Sequence, residues 1–135
     1  MSDKTLFSTG AGIGGRKIAF VSHSDATRLP DRPGLFVLMG RRGTDRSEPL
    51  YFGYADRSMR DQVPRDPGFA QAIRRGLVGF ASAYVPGGED PRALVQLLAR
   101  RYDAPVNATA EALREIEAAQ TTLQAQAMAR RIAAQ

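Results

Sequence analysis

Short apolar runs separated by Gly-, Pro- and Asp-rich punctuation fill the first two thirds of the chain. "KIAFVS" (17–22) and "GLFVLMG" (34–40) are bounded by turn formers and predict strands. "PLYFGYA" (49–55) predicts the return strand, with the polar "RRGTDRSEP" (41–49) as the hairpin loop between the two. Pro49 suits only the first position of that strand, because proline cannot donate to a ladder. Asp66 then caps a helix that has Pro67 in its first turn and Gly76 at its end. "LVGFASAYVP" (77–86) predicts another strand, and Asp90 with Pro91 repeats the helix start for a segment reaching about Tyr102, which Pro105 terminates. Asn107 or Thr109 caps a last long helix whose early glutamates and late arginines suit its dipole. The expectation is an α+β domain, one kind of α/β fold, built on a small antiparallel sheet flanked by helices. Residues 1–16 form an arm or hairpin, 17–107 the domain and 108–135 the C-terminal helix.

One position interrupts the pattern. Gly53 stands inside "YFGYA", where glycine weakens a strand and marks a bend or a close backbone approach.

Composition narrows the chemistry. At 135 residues, 43% hydrophobic and 24% charged, the chain has the make-up of one soluble domain with a real core. No apolar run approaches the roughly 18 residues of a membrane span, and "MSDKTLFSTG" lacks the apolar stretch of a secretory signal, so a cytoplasmic protein is expected. With no cysteine, thiolate nucleophiles, thiolate metal sites and disulfides are excluded. The net charge of +5 rests almost wholly on arginine, since only Lys4 and Lys17 are lysines. Arginine grips phosphate and carboxylate bidentately, and a basic balance favours nucleic acid or an acidic partner. Ten arginines between Arg28 and Arg75 face six acids in that segment, which makes it the candidate phosphate-binding stretch.

Two weaker signals carry no function. "GAGIGG" (10–15) matches a dinucleotide fingerprint, but a β-type run follows it instead of the helix whose N-terminus would meet a pyrophosphate. It is read as a hairpin loop between "KTLF" and "KIAFV". His23 is the only histidine and reads as a strand-end residue; a catalytic role would need a nucleophile and an orienting acid converging on it.

"PGLFVLMG", "PLYFGYADRSMR", "GFASAYVP", "PRALVQLLARRY" and "DAPVN" together resemble the GIY-YIG nuclease superfamily over residues 33–107. Gly34-Leu35-Phe36 stands where the first tripeptide would be, Tyr51-Phe52-Gly53 where the second would be, and Pro105-Val106-Asn107 where the closing P-x-N would be. The resemblance implies a three-stranded antiparallel sheet as the core and phosphodiester hydrolysis in DNA as the chemistry. It casts Tyr51 and Arg60 as catalytic residues, and Gly53, Tyr54, Arg57, Arg60, Arg65 and Asn107 as nucleic-acid contacts. Gly53 would then let the substrate backbone approach the sheet.

The sequence departs from that pattern at two places. Phe36 replaces the tyrosine of the first tripeptide, and Val95 stands twelve residues before Asn107, where the metal-binding glutamate belongs. Leu94 and Gln96 beside it carry no charge, Glu89 lies too early and Asp90 serves as a cap. Losing a metal ligand costs a nuclease roughly a thousandfold or more in rate. No cofactor is therefore expected, with Mg²⁺ or Mn²⁺ required only if catalysis survives. The leading expectation is a domain that binds or processes nucleic acid with impaired hydrolysis. The alternatives are a protein-interaction module that self-associates through residues 108–135, and an active endonuclease in which another carboxylate holds the metal.

Overall fold

The computed structural model describes residues 4–9, 17–42 and 46–133. Five strands form one antiparallel sheet: β1 (Lys4–Ser8), β2 (Lys17–His23), β3 (Gly34–Arg42), β4 (Arg46–Ala55) and β5 (Leu77–Ala83), in the order β1-β2-β5-β3-β4. Four α-helices accompany them: α1 (Met59–Gln62), α2 (Pro67–Arg74), α3 (Pro91–Arg101) and α4 (Pro105–Ala133). The central trio β5-β3-β4 holds the expected three-stranded sheet, and the N-terminal hairpin β1-β2 widens it by two strands. The "GAGIGG" stretch itself lies outside the described residues.

β3 explains itself. As the strand between β5 and β4 it is covered on both faces, and so it reads as an unbroken apolar run rather than an alternation. Leu35 and Val37 face one core with Phe7, Phe20, Phe52, Leu94 and Leu98, under α3. Phe36 and Leu38 face the other with Leu29, Leu50, Met59, Val63 and Val106, under α1, α2 and the start of α4. The first core is aromatic at its centre: the ring of Phe7 on β1 meets those of Phe20 and Phe52 edge-on at 5.3 Å and that of Tyr102 at 5.0 Å. β1 and β4 are opposite edges of the sheet, so the sheet is curled enough to bring them together over Ala81 and Ala83.

Three boundaries differ from the sequence reading. The β3–β4 pairing continues to Arg42 opposite Arg46, so most of the predicted hairpin loop is strand. Pro49 therefore lies inside β4, where its missing N–H is tolerated because β4 is an edge and because a bulge sits beside it. The pairing jumps from Leu38–Tyr51 to Met39–Pro49, leaving Leu50 extra. Lastly, α3 ends at Arg101 with Asp103 in a left-handed conformation (φ 51°), so Pro105 opens α4 and Asn107 falls within its first turn.

Candidate functional site

The bulge sets the geometry of β4. It places Leu50 and Tyr51, consecutive residues, on the same α2-facing side, while Phe52 and Tyr54 face α3. The Tyr51 ring packs on the first turn of α2, where a Cβ on Gly68 would lie 2.5 Å from it. Asp66 caps that turn by accepting from the Gly68 N–H at 2.8 Å. Burial, and then the Asp66 carboxylate beside it, push the Tyr51 phenol above its ordinary ionisation range, against the opposing pull of Arg114.

Gly53 answers the question that its position raises. It is paired with Phe36 across the β3–β4 ladder, and a Cβ there would run into the tip of the Phe36 ring. The close approach that this glycine permits is made by a side chain of the neighbouring strand. Where the family resemblance implies a substrate backbone over Gly53, the structure puts an aromatic ring.

A groove of about 720 Å³ runs along the free edge of β4, between α3 and α4. Its floor is Tyr51, Phe52, Gly53 and Tyr54, and two polar stripes face each other across it. Arg92, Gln96, Arg100 and Asp103 form the α3 stripe; Asn107, Glu111 and Arg114 form the α4 stripe. An ion pair at 3.2 Å from Arg100 to Glu111 ties the two helices. Val95 lines the groove as well, packed against the first core. The lining holds three arginines against four carboxylates, Asp56, Asp66, Asp103 and Glu111, so the groove is not basic.

The expected site residues are divided by this arrangement. Tyr51 and Tyr54 share the groove. Arg57 and Arg65 line a second hollow of about 470 Å³ together with Phe36, Tyr54 and Asp66. Arg57 also pairs with Asp56 at 3.7 Å. Arg60 lines neither space: its Nε donates to the Leu29 carbonyl at 3.1 Å, fastening the β2–β3 loop to α1.

Asn107 turns inward rather than toward a ligand. Its Oδ1 accepts from the Phe52 N–H at 2.8 Å and its Nδ2 donates to the Phe52 carbonyl at 2.9 Å. Both ends of the amide are thus taken up by the outer edge of β4. On either side of it, Ala104 joins one core and Val106 the other, so the start of α4 wraps the edge of the sheet.

Sequence reasoning missed Arg92, Arg100, Arg114 and the second role of Asp66. The i, i+4 spacing of Arg92, Gln96 and Arg100, matched by the four-then-three spacing of Asn107, Glu111 and Arg114, is the signal that finds the two facing stripes.

Among the described residues no group of three or more histidine or carboxylate side chains is placed to hold a metal ion. Position 95 is aliphatic, one Asp66 oxygen is held by the helix cap, Glu111 is paired with Arg100, and Asp56 accepts from Gln62 Nε2 at 2.7 Å. Among the described residues no helix is long and apolar enough to cross a membrane. The chain matches no protein-family model, no curated protein and no solved structure.

Proposed function

We propose that the chain is a nucleic-acid-binding domain of GIY-YIG-like design whose hydrolytic chemistry is impaired or absent. The observation that carries the impairment is position 95: aliphatic Val95 lines the groove where the resemblance calls for a metal-binding glutamate. The upward push on the Tyr51 phenol adds to this, because it makes the tyrosinate that could abstract a proton still harder to form. The antiparallel pairing of the two strands that carry Gly34-Leu35-Phe36 and Tyr51-Phe52-Gly53 supports this reading. The basic net charge supports a polyanionic partner.

Supercoiled plasmid incubated with the protein and Mg²⁺ or Mn²⁺ is expected to stay intact, while labelled duplex DNA binds by fluorescence anisotropy with an affinity that falls steeply with salt. Nicking that Asp66→Asn abolishes would overturn the impairment and identify Asp66 as the replacement ligand.

A second reading is favoured by α4. From Glu111 to Ala133 every residue is exposed, Leu113, Ile116 and Leu123 by 53–64%. The helix is about 43 Å long at 1.5 Å per residue. Glu111, Glu115 and Glu117 lie near its base, with Arg130 and Arg131 near its tip, so a second copy packed antiparallel sets acid beside base. Light scattering is expected to give a mass that rises toward a dimer with concentration and falls back in Ile116→Lys/Leu123→Lys. A monomer at all concentrations would eliminate this assembly.

A further inference from the structure

The arginines between Arg28 and Arg75 do not form one patch. The topology sends them to opposite ends of the sheet, and the two ends differ in charge.

At one end the β2–β3 loop meets the β4–α2 connection. The Met59 N–H donates to the Arg32 carbonyl at 2.9 Å, and that of Arg60 to the Pro30 carbonyl at 3.2 Å. This corner holds Arg28, Arg32, Arg57, Arg60 and Arg65. It also holds Asp25, Asp31, Asp56, Asp61 and Asp66, which balance them one for one. The corner next to Tyr54, where the family resemblance places phosphate contacts, is therefore neutral.

The opposite end is the tip of the β3–β4 hairpin. There Arg42 pairs with Arg46, and Gly40 pairs with Leu77 at the start of β5. One step outward on those two antiparallel strands brings Arg41 alongside Gly76, and hence to Arg74 and Arg75 at the end of α2. Gly76 permits this close return with a left-handed φ of 89°. Three exposed arginines, Arg41, Arg74 and Arg75, thus gather at this end, where Glu48 is the single acid among the described residues of the hairpin. Arg41, Arg74 and Arg75 are exposed, and among the described residues none of them forms an ion pair. Complementing the α2 dipole accounts for Arg74 and Arg75. It does not account for Arg41 arriving beside them from β3.

We infer that the β3–β4 hairpin end, with Arg41, Arg74 and Arg75, is the surface that engages the phosphate backbone of nucleic acid, an inference that rests on the nucleic-acid reading above. Uncompensated guanidinium groups release condensed counterions when they meet phosphates, whereas paired ones release few. Contact here is with backbone rather than bases, so affinity is salt-dependent and nearly indifferent to sequence.

Two triple variants with the same change in net charge test the placement. Arg41→Gln/Arg74→Gln/Arg75→Gln alters the hairpin end; Arg28→Gln/Arg57→Gln/Arg65→Gln alters the neutral corner. Binding of a labelled 20-base-pair duplex is measured by anisotropy from 50 to 200 mM salt, with circular dichroism melting as a check on folding. The hairpin variant is expected to bind at least tenfold more weakly at 50 mM, and the slope of log affinity against log salt is expected to fall by about 2–3, near 0.9 for each phosphate that is no longer neutralised. The corner variant is expected to stay within about threefold of wild type, on the same counterion argument. A corner variant that weakens as much as the hairpin variant would overturn the placement while leaving the nucleic-acid reading intact. Wild type that fails to bind the duplex at 50 mM salt, or that binds phosphatidylserine vesicles in its place, would overturn both.

Discussion

Gly53→Ala is expected to cost about 3 kcal/mol of stability, at the upper end of what overpacking a tight core costs. The added methyl would lie under 3 Å from three carbons of the Phe36 ring, and Phe36 is only 1% exposed. The ring cannot swing into solvent, so it must leave its rotamer or push β3 away from β4. Urea unfolding followed by circular dichroism reads the loss. The same substitution in a Phe36→Leu background is expected to cost much less, because the obstructing ring is gone, and the two changes are expected to be strongly non-additive. If Gly53 instead kept a space for a ligand, Gly53→Ala would spare stability and weaken DNA binding alone. That result would return the glycine to the role that its strand position first suggests.

Asn107→Ala is expected to cost about 2–4 kcal/mol, since it removes two hydrogen bonds and strands the N–H and carbonyl of a buried residue, Phe52. Asn107→Asp separates the two bonds. At neutral pH the introduced carboxylate still accepts from the Phe52 N–H but sets a second anionic oxygen against the Phe52 carbonyl. Protonating it restores a donor, so its folded-state pKa is raised above the unfolded one. The sign follows: the stabilising contribution is present in full below the unfolded carboxyl value near 4 and is lost as pH rises through the folded value. Relative to wild type at each pH, Asn107→Asp is expected to recover stability on acidification, and Asn107→Ala is not. Equal behaviour of the two variants across pH 3–7 would show that the paired amide bonds are not what Asn107 contributes.

Much of the fold was legible in the chain because its punctuation is local. Asp66-Pro67, Asp90-Pro91 and Gly76 act through their own backbone neighbours, and α2, α3 and the α2–β5 turn stand where those residues put them. What escaped depends on partners distant in sequence. The Leu50 bulge arises in the pairing of β4 with β3, and no period-2 pattern announces that Leu50 and Tyr51 share a face. Gly53 betrays a close approach, yet nothing beside it tells whether a ligand or Phe36 makes it. Asp66 was legible as a cap but not as the neighbour of Tyr51, an approach that depends on how α2 settles on β4. The basic segment was legible as a count of arginines; only strand register divides that count into a balanced corner and an unbalanced tip.

The edge contact of Asn107 has a counterpart across the sheet. On β1, the far edge, the Ser8 N–H donates to the Tyr102 hydroxyl at 2.6 Å. Exposed strand edges invite pairing with other molecules, and natural sheets blunt them. Here one short link between two helices supplies both stoppers, because the curl of the sheet brings its first and last strands within reach of residues five apart. Disturbing that link would therefore open both rims together and turn a self-contained sheet into a template for intermolecular stacking, a hazard for solubility that would surface before any loss of helix.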